Sequence, residues 1–318
     1  MTELVGIFTS AVLPIVAIAG VGVILGRRKG VDPGPLNTAV LYVLAPALVF
    51  HSLALTELAA GTLVRIAVGV VVFTLSMVAV GELLGRALGT VEPLLSALLL
   101  VAIFSNSGNL GIPVSDFAFG DVGRQTAVLF LSVQSVLMYT VGVYLASRSG
   151  GSSGLSGVKK VFYVPLVYAV GAALLARAIG IVPPPGSATM EAVGLVGDSS
   201  IPLMLLILGI ELSRTDYEAA LTNTVVPTAL RLGIAPIMGL VIVTVLGFQN
   251  QTVARVFVLE TGMPAAITPL ILVVEFAGSR DEGVTAPELI STSVLVTTIV
   301  SVPYLTLLIA LLQSGIVI

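Results

Sequence analysis

Ten stretches of about twenty predominantly apolar residues dominate the chain. They fall at roughly 4–25, 36–55, 63–85, 93–119, 124–147, 161–181, 192–212, 224–247, 253–277 and 288–313. A hydrocarbon core of about 30 Å needs about 20 apolar residues per helix, so each run has the length of a membrane span. Inside lipid the backbone must satisfy its own hydrogen bonds, which leaves helices as the fold for runs this long. The sequence therefore predicts an all-α membrane protein of ten transmembrane helices. Composition agrees: 57% of residues are hydrophobic and only 10% charged, against about 25% charged in a soluble domain.

The same composition excludes several functions. The chain has no cysteine and one histidine, which removes disulfides, thiolate metal sites and thiol catalysis. A formal net charge of −3 offers no basic surface for nucleic acid. The start, Met1-Thr2-Glu3, lacks the basic region of a cleavable signal peptide. Neither a His-Glu-x-x-His string nor the acidic motifs of intramembrane proteases and prenyl transferases is present, so an intramembrane enzyme is not expected.

Lysine and arginine near span ends set the orientation. With the N-terminus outside, Arg27, Arg28, Lys29, Arg86, Arg148, Lys159, Lys160, Arg214 and Arg280 face the cytoplasm, and Arg65, Arg124, Arg177 and Arg255 face out. Both termini are accordingly expected on the extracellular side of the plasma membrane. The Ser/Gly-rich stretch 148–160 reads as a cytoplasmic linker.

That linker separates two similar halves, 1–147 and 161–318. Pro14-Ile15-Val16-Ala17-Ile18-Ala19-Gly20 matches Pro165-Leu166-Val167-Tyr168-Ala169-Val170-Gly171 at an offset of 151, and Val31-Asp32-Pro33 matches Val182-Pro183-Pro184 at the same offset. Ala45-Pro46-Ala47-Leu48-Val49 then aligns with Ile201-Pro202-Leu203-Met204-Leu205. Five spans per half is an odd number, so the second half would enter from the opposite face and form an inverted repeat, as in many secondary transporters.

Two runs are interrupted at equivalent places. The fourth reads Ser105-Asn106-Ser107-Gly108-Asn109-Leu110-Gly111-Ile112-Pro113, and the ninth reads Glu260-Thr261-Gly262-Met263-Pro264-Ala265-Ala266-Ile267-Thr268-Pro269. Glycine, asparagine and proline are poor helix-interior residues. Gly/Pro-interrupted spans in matching positions are the sequence mark of a transport site. Broken helices present N-terminal amides to anions and C-terminal carbonyls to cations.

These strings carry a family likeness. Asn106-Ser107-Gly108-Asn109-Leu110-Gly111-Ile112-Pro113 with Phe119-Gly120, together with Gly262-Met263-Pro264-Ala265-Ala266, resembles the auxin efflux carrier family, which holds plant auxin exporters and prokaryotic dicarboxylate permeases. The likeness spans the chain. It implies two inverted five-helix repeats in which spans 4 and 9 cross, with Pro113 and either Pro264 or Pro269 near the crossing. Spans 1, 2, 6 and 7 would form a scaffold, and spans 3–5 and 8–10 a domain that moves like an elevator. It also implies a homodimer. Glu260-Thr261-Gly262 departs from the plant proteins and is more like the bile acid:sodium symporters of the same superfamily, which makes sodium coupling an expectation.

The candidate site follows. Asn106 and Asn109 share a helix face and offer donors and acceptors to a carboxylate or a cation; Gly108, Pro113, Gly262, Pro264, Gln134 and His51 join them as substrate-binding candidates. Glu260, Thr261, Asp116 and Thr268 are the ion-coupling candidates, with a sodium ion expected at Glu260, Thr261 and Asn109. An ionisable group at this depth is functional by default. The alternatives differ residue by residue: a pair with Arg255 for Glu260, back-bonding for the threonines, a satisfied interhelical contact for His51. Arg231, within span 8, is costly in lipid and is expected to pair with an acid. The function so predicted is secondary transport of a small organic anion, auxin-like or a mono- or dicarboxylate, coupled to sodium or protons, with lipid as the other partner and no cofactor beyond that ion. The competing readings are a sodium-coupled symporter of the bile acid type and a membrane sensor on a degenerate transporter fold.

Overall fold

A computed structural model of the chain describes residues 6, 8–148, 165–214, 224–276 and 284–318. Met1-Thr2-Glu3, most of the 148–160 linker with Lys159 and Lys160, and Arg280 lie outside the described residues. Eleven helical elements follow in order: α1 (Phe8–Lys29), α2 (Pro33–Ala54), α3 (Ala60–Ala87), α4 (Leu94–Ile103), α5 (Ser107–Ser147), α6 (Pro165–Ala178), α7 (Ala188–Ser213), α8 (Val225–Val245), α9 (Gln251–Thr261), α10 (Thr268–Phe276) and α11 (Ala286–Gln313). Seven of them, α1, α2, α3, α5, α7, α8 and α11, are long and apolar enough to cross a membrane, and α4 and α6 are shorter apolar helices. No strand occurs among the described residues.

α5 is 41 residues long, which at 1.5 Å per residue is about 60 Å, twice the hydrocarbon thickness. It does not run straight. Gly120 sits at φ 63 and ψ −152, outside helical space, in a region open to glycine because it has no Cβ. The chain folds back there. Ser105 and Gln134, about equally far on either side of Gly120, are hydrogen-bonded to each other.

Packing sorts the helices into two groups. α1 lies along α7, and α2 packs on both α6 and α7. The α1–α7 contact is a reciprocal glycine approach: a Cβ on Gly22 would strike the Leu206 carbonyl, and one on Gly209 the Ala19 carbonyl. Small residues of this kind let two backbones close where lipid supplies no hydrophobic drive. The second group joins α9 to α5 and α8, α3 to α4, α5 and α8, and α11 to α4. Its centre holds Phe130 edge-on to Phe257, ring centroids 5.4 Å apart. Outward faces are apolar, as at Val64, Leu75, Leu195, Val245 and Leu307. α9 begins on an Asn250 cap and α11 on a Thr285/Glu288 capping box, the side-chain acceptors that a helix start requires.

The breaks are shorter than the sequence implied. In the fourth run only 104–106 is non-helical; Gly108, Gly111 and Pro113 are helical. Ser107–Gly111 forms a wide π turn and Pro113 enters directly after it. Gly111 and Ile112 bond back five residues, to Asn106 and Ser107, so the proline's missing amide falls where the ladder is already widened. In the ninth run, Thr261 ends α9 and Thr268 begins α10.

Candidate functional site

The two breaks lie against each other, backbone to backbone. The Asn106 amide donates to the Pro264 carbonyl at 2.8 Å and the Ala266 amide donates to the Phe104 carbonyl at 3.0 Å, with Ser105 and Ala265 paired in antiparallel sense. The outer amides of that pair are also met. Ser105 donates to Oε1 of Gln134 at 3.3 Å, and Ala265 donates to Oγ1 of Thr297 at 3.1 Å. Gln134 closes the loop by donating from Nε2 to the Ser105 carbonyl. Every extended amide in a buried, water-poor place thus finds an acceptor, as burial demands. Pro264, and not Pro269, takes part in this pairing; Pro269 is in the first turn of α10, as Pro113 opens the α-helical part of its own segment.

Four half-helix ends meet here, and they are sorted by polarity. The first turns of α5 and α10 face a cavity of about 340 Å³, lined by Ser105, Asn106, Gly108 and Asn109 from one break and by Ala266, Ile267 and Thr268 from the other. Gln134, Tyr139, Met204 and Glu211 complete its wall among apolar side chains. Helix N-termini carry unpaired amides and partial positive charge, so this cavity suits an anionic group. The C-terminal ends of α4 and α9 meet on the other side of the pairing, at Arg231.

Arg231 is wholly buried. Its Nη1 donates to the Ala102 and Ile103 carbonyls at 2.8 and 3.0 Å, and its Nη2 donates to the Thr261 carbonyl. The guanidinium also stands over the Phe73 ring, 5.7 Å from its centroid, a cation–π arrangement. The acid expected to pair with Arg231 is not its direct partner: three main-chain carbonyls are. A helix end leaves its last carbonyls unpaired, which supplies an arginine partner that side-chain reading does not show.

Glu260 is equally buried. Oε1 accepts from Ser115 Oγ at 2.8 Å, and Arg231 acts on the carboxylate through space. Gly111 lies flat against it: a Cβ there would collide with both carboxylate oxygens. Arg255 does not reach Glu260 and donates to the Ile318 carbonyl instead.

The remaining candidates separate. Asn106, Gly108, Asn109, Gln134 and Thr268 line the cavity. Pro264 holds the pairing. Gly262 caps α9, where an added Cβ would come within 2.9 Å of the Tyr304 hydroxyl. The Thr261 hydroxyl donates to the Val258 carbonyl at 2.7 Å, the back-bonding alternative, and neither it nor Glu260 lines the cavity that Asn109 lines. No group of three or more His, Asp or Glu side chains placed to hold a metal ion occurs among the described residues. His51 lies away from the cavity, its ring against Gly194. Asp116 sits 3.8 Å from Arg124, which also binds Asp121 and Asp198. Arg231, Thr297, Ser115 and Tyr304 belong to the crossing without having been singled out as its parts. The clue for Thr297 is the density of hydroxyls in Ser291–Ser301, too many for a span that merely faces lipid.

This geometry meets what known sequences show. A family of membrane transport proteins matches residues 7–160 and 156–309. The chain belongs to this family, the auxin efflux carriers. It is 28% identical over 266 residues to an uncharacterized transporter of Methanothermobacter thermautotrophicus, covering 83% of this chain and 86% of that one. It is 24% identical over 269 residues to an uncharacterized transporter of Methanocaldococcus jannaschii, covering 82% and 86%. As an auxin efflux carrier family member with several long apolar helices, the chain is a multi-pass membrane transporter.

Proposed function

We propose that this transporter carries a small organic anion across the plasma membrane by secondary active transport, seating it at the crossing of its two broken spans. The observation that carries the reading is the sorting of helix ends. Two N-terminal ends, α5 and α10, converge on one cavity together with Asn106 and Asn109. Among the described residues its wall holds no lysine, arginine or histidine and one acid, Glu211, which accepts from Asn37, so the fixed attraction for a carboxylate comes from backbone amides and side-chain amides.

Ten crossings in two inverted repeats fit the elements: α4 with the start of α5, and α9 with α10, are the interrupted spans, and Gln134 and Thr297 brace them at corresponding points. The two packing groups fit a fixed scaffold of α1, α2, α6 and α7 and a moving group carrying the crossing. With the orientation given by lysine and arginine, the cavity lies on the cytoplasmic side. A homodimer through the scaffold is part of the same reading. Sodium or protons are the driving ions to be distinguished.

Purified protein in liposomes should accumulate a labelled carboxylate when an ion gradient is imposed. Absence of uptake across a broad panel of mono- and dicarboxylates, with folding verified by a cooperative melt, rejects the reading.

A further inference from the structure

We propose that Arg231 is the resident cation of the crossing: it occupies the place between the C-terminal ends of α4 and α9 that a coupling sodium ion would otherwise take, so the crossing carries its own positive charge without sodium.

Three observations carry this. First, carbonyls at the ends of two half-helices converge on one point, the donor set by which broken helices hold sodium. Here that point is filled by the guanidinium, which bonds Ala102, Ile103 and Thr261. Second, the charge is held from below by the Phe73 ring and balanced at longer range by Glu260, the only other charged side chain buried as deeply among the described residues. A positive and a negative group in a low-dielectric interior offset each other's desolvation, and a further metal cation would leave an uncompensated charge. Third, the one buried carboxylate is not turned to this point. Glu260 Oε1 accepts from Ser115, and both its oxygens lie against Gly111, with Oε2 left without a hydrogen bond; Asn109 lines the cavity, which Thr261 and Glu260 do not. Arg231 is a positioning residue: it ties α4 to α9 and sets the field at the crossing, and it does not line the cavity.

The inference rests on the transport reading only in calling sodium the ion displaced, and its principal test uses no substrate. The melting temperature of the purified protein is measured in sodium chloride and in choline chloride. The wild type should melt within about 1 °C in the two salts. Arg231→Ala should melt lower by several degrees and recover on adding about 20 mM guanidinium, a concentration far below the denaturing range, while the same choline concentration does nothing. Rescue by a small planar cation is a readout that loss of packing alone would not give. Where Arg231→Ala does not survive purification, Arg231→Lys carries the test: it should fold, melt below wild type, and remain indifferent to sodium. A wild-type melt raised specifically by sodium overturns the proposal, as does an Arg231→Ala protein as stable as wild type or unresponsive to guanidinium. Uptake in liposomes with sodium replaced by choline should continue unchanged. Total absence of uptake in both salts would reject the transport reading and leave the melting result standing.

Discussion

Nη2 of Arg231 donates to the main-chain carbonyl of Thr261, the last residue of α9. A buried charge is thereby bonded by helix ends and not by a neighbouring carboxylate, and its balance with Glu260 acts through space.

That balance can be measured. Glu260→Gln removes the negative partner while keeping the shape, and should destabilise the protein by about 3 kcal/mol because Arg231 is left uncompensated in a dry interior. Arg231→Met should destabilise by a similar or larger amount. The double variant should lose less than the sum of the two, by at least about 1 kcal/mol. Denaturation of all four proteins in detergent gives the coupling; strict additivity would show that the two charges are independent.

Gly111 and Gly108 make a matched pair of tests. Gly111→Ala drives a methyl into the Glu260 carboxylate and should cost about 1–3 kcal/mol of stability, with transport lost. A Cβ at Gly108 meets only the Leu131 side chain, at 3.7 Å, an ordinary contact. Gly108→Ala should therefore melt with the wild type. Equal melting of the two variants would detach Gly111 from Glu260.

Asn109 and Gln134 line the same cavity but do different work. Asn109→Ala should weaken substrate binding about tenfold, the worth of one hydrogen bond to a charged group, and leave the melt unchanged. Gln134→Ala strips partners from the buried amide, hydroxyl and carbonyl of Ser105 and should lower stability by about 1–3 kcal/mol. Binding isotherms and melts on both variants separate the roles.

Arg124 on α5 bonds Asp198 on α7 at 3.0 Å, a contact between the two packing groups. Asp198 is more than half exposed, so the pair is worth about 0.5 kcal/mol, roughly a twofold shift in the balance between conformations. The chain has no cysteine, so a single Ile267→Cys in the cavity wall reports access cleanly. Asp198→Asn should slow its labelling from the cavity side about twofold. No change would place the pair outside the gating equilibrium.

Much of this was legible in the residues. Apolar runs gave the helices, and Gly/Asn/Pro strings in runs four and nine marked both breaks and the cavity residues Asn106, Asn109 and Thr268. Two things were not. The exact extent of the first break was hidden because Gly108 and Pro113 are compatible with a helix that starts at a π turn, so propensity alone overstates the interruption. The role of Arg231 was hidden because its partners are carbonyls of residues 102, 103 and 261, whose side chains carry no trace of that duty. His51 is the opposite case: its titratable ring marks it in the sequence, while the approach of α7 at Gly194, which places it outside the cavity lining, leaves no mark there.

The antiparallel pairing of 104–106 with 264–266 has a mechanical consequence. Sliding one interrupted span past the other would break the bonds of the Asn106 and Ala266 amides, at about 1–3 kcal/mol each where no new acceptor is met. The two spans are therefore welded at their midpoints, and whatever displacement carries cargo across must leave that weld intact. Under the proposed transport reading, the slip planes are the faces where α5 meets α2 and α7, held by a few side-chain bonds such as Thr56 to Gln125, and the binding seat is expected to travel as one rigid piece with what it holds.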